Sequence, residues 1–345
     1  MMDATLELRR ERLAFSKRKL VLPVTIFIGV LAAYGGTVTA ILASEPWVSL
    51  ILVPICGLLI VMLFVIGHDA CHQAYTSSHG LNALIGRIAF LPALHAFSLW
   101  DHEHNHRHHR FNNIKHLDYA WIPLSPDEFA NASLLQRLKY RFYRHPGGVL
   151  FYYLFEIWPK RKIFPRRVML GKIRMVHIAD TMLVASFLVV YLAVLTMSGS
   201  WFGKSLLQSL TFGFLLPFLI FNALISVAIF LHHTHYAVPW YASIDEWVQG
   251  EGTIYGTVHV EFPWIFRKLI LHIMEHNAHH YAPGVPLYRL SAMQELVKRP
   301  GVVTWQFSLF EYFNICARCK LFDYEASRWL DFKGCATSEP VCPET

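Results

Sequence analysis

The chain has 345 residues, of which 54% are hydrophobic and only 16% charged, well under the roughly 25% usual in soluble domains. With a mean hydropathy of +0.34, this excludes a pair of ordinary soluble domains and points to a protein that crosses a membrane several times. A formal charge of +7 would suit nucleic acid only as a soluble basic patch, and the placement of the charges argues against that.

Residues 1–20 form a basic N-terminal segment carrying Arg9, Arg10, Arg12, Lys17, Arg18 and Lys19. Leu20–Ala43 is an uncharged apolar run, long enough to cross the roughly 30 Å hydrocarbon core as a helix. It is too long for a signal-peptide core, so a retained first span is expected. Ser44-Glu45-Pro46 reads as a tight turn, and Trp47–Gly67 is a second uncharged run ending at His68. Residues 20–67 are thus expected to be a first transmembrane hairpin.

Residues 68–175 are expected to be cytosolic or interfacial, with 15 Lys/Arg against 7 Asp/Glu. Ser77–Trp100 is interrupted by Arg87, Pro92 and His95, and suits a re-entrant or interfacial segment, or helix packed against protein, better than a span. Leu134–Trp158 mixes aromatic residues with arginines, the composition of a helix lying in the membrane interface. Val176–Met197 is a third span with only His177 and Asp180 at its start. Leu206–Leu231 is a fourth, uncharged span that ends at His232. Residues 176–231 make a second hairpin, and 232–345 are amphiphilic and expected to be cytosolic.

The two short loops hold one basic residue, Lys204, while the N-terminus and 68–175 are rich in them. The positive-inside rule then puts both termini and the large loop in the cytoplasm. Cationic residues near span ends meet anionic headgroups, which accounts for the charge and leaves nucleic-acid binding without support. The expected fold class is an all-α multi-pass membrane protein. Its four transmembrane helices form two hairpins, with interfacial helices and a cytosolic helical region holding a histidine-ligated dimetal site.

That site is expected from the histidines. His68-x3-His72 follows the second span, His104-x3-His108-His109 lies in the cytosolic loop, His232, His233 and His235 follow the fourth span, and His276-x2-His279-His280 comes later. On helices these spacings put each group on one face. So many imidazoles exceed the needs of one ion and suit two, and His-ligated iron with open positions suits O₂ activation. Asp69, Asp101, Glu103 and Glu275 flank the histidines as candidate acceptors for imidazole N–H groups, with His235 a further candidate supporting residue. His79, His95, His116, His145, His177, His259 and His272 read as ordinary polar or interfacial residues. Cys56 and Cys71 read as small buried hydrophobes. Cys316, Cys319, Cys335 and Cys342 lack the pairing expected of a rubredoxin-like site. His145-Pro-Gly-Gly148 matches a haem-ligand tetrapeptide, but the basic, aromatic surroundings favour a turn.

The three spacings, with "HNHRHHRFNN…DYAWIPLS" (104–125), "LHHTHYAVPWY" (231–241) and "CKLFDYEASRWLDF" (319–332), resemble the membrane fatty acid desaturase superfamily of three-histidine-box diiron enzymes. The resemblance is closest to bacterial acyl-lipid Δ12/ω6-type desaturases and covers roughly 50–330. It implies metal ligands at His68, His72, His104, His108, His109, His276, His279 and His280. It also implies a ninth between boxes two and three, for which His233 is chosen over His232 and His235. His102 and His106 depart from the family pattern as extra histidines. The resemblance implies two iron ions, O₂ as co-substrate and reduced to water, and a cis double bond introduced into an acyl chain of a lipid or of a CoA or ACP thioester. A hydroxylase or monooxygenase on the same scaffold is the alternative. With no dinucleotide, flavin or ferredoxin motif in the chain, electrons are expected from a ferredoxin, a rubredoxin or a cytochrome b5 with its reductase. In a bacterium the expected location is the inner membrane.

Overall fold

The computed structural model describes residues 14–341. Most of the basic segment 1–20, including Arg9, Arg10 and Arg12, lies outside the described residues, as does Cys342. In chain order the main helices are α1 (Val21–Ala43), α2 (Pro46–Cys71), α3 (His79–Phe90), α4 (Phe97–Glu103), α5 (Leu134–Tyr143), α6 (Pro146–Tyr152), α7 (Met175–Trp201), α8 (Leu206–His233), α9 (His276–Tyr281) and α10 (Leu309–Arg318). Among the described residues, α1, α2, α7 and α8 are the four helices long and apolar enough to cross a membrane. The fold is a mostly helical, four-span membrane protein with histidine clusters able to hold two metal ions.

Three of the spans overrun their apolar runs. α2 continues past Gly67 to Cys71 and so holds His68 on helical backbone. α7 extends to Trp201, and the helix at the end of α8 runs through His232 and His233. The cause is backbone chemistry: a helix satisfies its own N–H and C=O groups, so it outlasts the hydrophobic signal by about a turn.

The chain divides into two compact units. The first holds residues 16–103 and 153–225. Its spans turn exposed apolar side chains such as Ile28, Ile51 and Val189 outward, as a lipid-facing surface requires. Inside, Tyr34 and Tyr191 share a hydroxyl hydrogen bond of 2.8 Å. The Tyr191 hydroxyl also lies 2.9 Å from the Gly213 carbonyl oxygen. The Ser77–Trp100 stretch is α3, an irregular turn and the start of α4. Asp180, the acid at the start of α7, accepts from Arg87 Nε at 2.7 Å and from the Ser98 backbone N–H at 2.9 Å. An ionisable residue in a span is costly unless paired, and this pairing explains both Asp180 and Arg87.

Among the described residues, the second unit holds 14–15, 104–152 and 226–341. Two small two-stranded sheets are added to its helices. β1 (Val258–Glu261) pairs in parallel with β2 (Val303–Gln306), and β3 (Leu321–Asp323) pairs antiparallel with β4 (Arg328–Leu330). Strands this short gave no alternating pattern to read beforehand. Trp121, Phe230, Trp240, Val258, Ile315 and Trp329 form its apolar core. Buried Arg144 donates to the carbonyls of Trp121 and Cys319. His145 lies in the turn between α5 and α6, and Pro146-Gly147-Gly148 opens α6. A Cβ on Gly148 would lie 1.7 Å from the Phe142 carbonyl oxygen, so the close approach of α6 to α5 requires glycine there.

Replacing Asp180 with alanine leaves the half-buried Arg87 without its carboxylate and is expected to cost about 2 kcal/mol. Thermal unfolding of the detergent-solubilised protein should show a lowered midpoint, with Asp180→Asn, which still accepts from Ser98, falling between the two.

Candidate metal centre

The second unit gathers histidines from three motifs. The His104–His108 segment that follows α4 is a π-turn, in which the backbone bonds run from i to i+5. The consequence is a change of partners. On an α-helix His104 would pair with His108. Here His104 Nε2 lies 3.0 Å from His109 Nε2, five residues on. His108 is released to a different group. The helix α9 divides its histidines similarly: His276 and His280, four apart, face one way, while His279 Nε2 lies 3.0 Å from His109 Nε2.

The result is two sets. His108, His233, His276 and His280 each offer a ring nitrogen within 4.8 Å of the others, and all four are buried. His276 Nε2 and His233 Nε2 are 3.0 Å apart. His104, His109 and His279 form the second set through the two 3.0 Å contacts above. The sets adjoin where His109 and His280 stack, centroids 4.2 Å apart. In the other unit His68 and His72 sit on and just past the last turn of α2, rings 4.8 Å apart.

Two ligand candidates are oriented from behind. His108 Nδ1 donates to Asp118 Oδ1 at 2.9 Å. The same carboxylate accepts backbone N–H groups from Asn113 and Tyr119, at 3.0 and 2.6 Å. His233 Nδ1 donates to Asn113 Oδ1 at 3.1 Å. The amide's orientation follows from its Nδ2, which donates to the Pro239 carbonyl at 3.1 Å. Asn113 holds a left-handed backbone, φ 58°, a conformation asparagine tolerates better than most residues. Fixing Nδ1–H in this way directs the Nε2 lone pair into the cluster, the usual arrangement behind metal-bound histidine. Asp118 and Asn113 were missed in the sequence, although both stand in the 104–125 stretch.

The donor set suits a metal. A cation must meet neutral imidazole, and His276 is held well below the usual imidazole range, first by burial and then by neighbouring imidazoles, His232 foremost. Its Nδ1 is buried without a hydrogen-bond partner. Nitrogens 3.0 Å apart fit two ligands at about 2.1 Å from one ion. All of these donors are imidazole nitrogens, which accommodate iron, copper, nickel or zinc.

The remaining candidates are placed as follows. His232 stacks on His276, centroids 3.7 Å apart, with its Nε2 3.1 Å from the Met274 sulfur. His235 accepts from the Ala237 backbone N–H and packs on Tyr236; burial holds its pKa down to about 4. Glu275 bonds Arg267, His272 and Ser291. Burial raises its pKa, but these partners outweigh that and leave the carboxyl below the ordinary range. Glu103 accepts from Arg161 at 2.5 Å, and Asp69 is buried at the end of α2. The extra His102 has Nε2 at 3.2 Å from the Met169 carbonyl oxygen, and His106 is exposed.

Four spans with histidine clusters that could hold two metal ions define a multi-span membrane protein with a candidate dimetal site. A sequence profile of the fatty acid desaturase family matches residues 45–307, and the chain belongs to that family. Among its relatives, the sn-1 oleoyl-lipid 12-desaturase of Picosynechococcus sp. is 28% identical over 83% of this chain and 80% of that protein. The protein of the same name from Synechocystis sp. is 30% identical over 76% of this chain and 72% of that protein. The chloroplastic omega-6 fatty acid desaturase of Brassica napus is 28% identical over 82% of this chain, which spans only 62% of that protein.

Asp118→Asn keeps the shape but removes the charge that holds His108. It is expected to lower metal retention roughly 10-fold, read as metal per chain after dialysis against a chelator.

Proposed function

We propose that this protein is an O₂-dependent desaturase that introduces a cis double bond into an acyl chain. The observation that carries the reading is the convergence of His108, His233, His276 and His280 on one point. By the family's histidine pattern, the nine ligands His68, His72, His104, His108, His109, His233, His276, His279 and His280 hold two irons. Bound iron supplies the O₂ activation needed to remove hydrogen from an unactivated methylene, which no amino-acid acid or base achieves.

The chain's own residues do the rest. Asp118 and Asn113 hold the Nδ1 protons of His108 and His233, so those rings present fixed lone pairs. The π-turn sets which histidine serves which ion. Oxygen leaves as water, with electrons from a separate carrier, a ferredoxin, a rubredoxin or a cytochrome b5 with its reductase. An acidic carrier suits the basic 68–175 region. The same charge distribution supports a cytoplasmic site with both termini on that side, and an inner-membrane location in a bacterium. The names of the relatives, sn-1 oleoyl-lipid 12-desaturases, support an oleoyl lipid as substrate and desaturation at position 12.

The test is the fatty-acid profile of a host that makes oleoyl lipids but no polyunsaturated ones, expressing this chain or His108→Ala. A new diene, absent in the variant, is expected. A hydroxylated chain would overturn desaturation in favour of oxygenation. An unchanged profile from protein carrying two irons per chain and supplied with reduced donor would remove the acyl-lipid substrate.

A further inference from the structure

The C-terminal third reads as soluble in its sequence, yet one of its helices has a bare apolar side. Ser308 caps α10 by accepting from the Glu311 N–H at 3.1 Å. The helix buries Tyr312, Ile315 and Cys316. Its other side leaves Phe310 81%, Leu309 65% and Phe313 54% exposed. Singly exposed apolar residues need no explanation, but three large ones on one short helix do.

The neighbours of α10 indicate what covers it. Tyr312 packs against Phe230 of the fourth span, centroids 6.3 Å apart. Its hydroxyl donates to the Pro146 carbonyl at 2.6 Å. Ser226 of the same span donates to the Val149 carbonyl of α6. Both α10 and α6 are therefore fixed to residues 226–230, the last apolar turns of a span. Four residues of helix cover only about 6 Å along the axis, within the depth of the interfacial layer. The exposed side continues onto α6 and α5: Phe151 stacks with Phe142, centroids 6.0 Å apart. Leu138, Leu135 and Leu134 follow, exposed, along α5. Exposed Lys139 and Arg141 lie in the same helix, the charge that anionic headgroups attract. In an isologous pairing of two copies, α5 would face its own like charges across the symmetry axis.

We propose that α10 lies in the membrane interface, with Leu309, Phe310 and Phe313 in lipid. Together with α5 and α6 it forms one lipid-contacting surface on the histidine-bearing unit. The occupant is the bilayer itself. The surface is separate from the metal ligands and does not depend on the desaturase reading.

The test uses the full chain in proteoliposomes containing anionic lipid, with Cys335→Ser and Cys342→Ser to remove competing thiols. The other cysteines are buried. An environment-sensitive fluorophore is attached at Phe310→Cys or, as a control in an exposed turn, at Lys333→Cys. The expected result is several-fold stronger quenching at 310 than at 333 by a nitroxide near the top of the acyl chain, with protection from aqueous iodide at 310 alone. Iodide quenching at 310 equal to that at 333, without lipid quenching, would overturn the proposal. Protection from both quenchers would also overturn it, by showing that protein covers the helix.

Discussion

Two imidazole nitrogens cannot face each other at 3.0 Å inside a protein unless a proton or a cation lies between their lone pairs. This structure repeats that contact three times, between His276 and His233, His104 and His109, and His109 and His279. One proton can bridge one pair as an ordinary hydrogen bond. It does not serve four buried rings whose nitrogens converge within 4.8 Å, because each added proton brings positive charge into a site already closed to water. Burial and neighbouring imidazoles hold His276 towards its neutral form, the form that binds a cation. Much of the second unit serves this convergence: Asp118 and Asn113 fix ring orientation, and the π-turn sets the spacing.

The π-turn divides the histidines of its motif between the two sets. On a regular helix His104 and His108 share a face while His109 points about 100° away from His108; here His104 still stacks on His108, centroids 5.3 Å apart, and His109 also reaches His104. Widening one turn rotates His109 back over His104 and sends His108 to the other set. The third motif needs no such device, because three-residue and four-residue spacings already diverge by about 100° on an α-helix. His279 and His280 thus reach different sets while remaining adjacent in sequence. These two motifs then contribute to both sets, so the relative placement of the two sets is built into single short stretches of backbone.

The spans and the histidine groups were legible in the sequence because each depends on one strong, local signal: uncharged length in one case, spacing of a rare side chain in the other. What was not legible depends on groups distant in sequence. Asp180 read as a charge at a helix start, and only the fold brings Arg87 and Ser98 to it. Asp118 looked like any loop acid, since its partner lies ten residues away around an irregular turn. The division of His104, His108 and His109 was hidden because helical periodicity presumes an α-helix. The first pair of strands was hidden for a related reason: four residues of β1, paired with a segment 45 positions on, carry no pattern of their own. The exposed face of α10 was present in the sequence as Leu309, Phe310 and Phe313, but the soluble character of the surrounding region masked it.

The end of the fourth helix shows how register decides which histidine meets a cluster. Residues adjacent on a helix point about 100° apart, so His232 and His233 cannot face the same point. The fourth helix continues through both, and its rotation is fixed by the packing of Phe230 and Leu231 in the core one turn below. That rotation aims His233 at His108, His276 and His280, and lays His232 flat on the back of His276 against the Met274 sulfur. His235 lies beyond the helix end and belongs to a different environment, beside Tyr236 and Glu311. Which of the three histidines meets His108, His276 and His280 is therefore set by where an apolar helix stops turning, not by the chemistry of the histidines themselves.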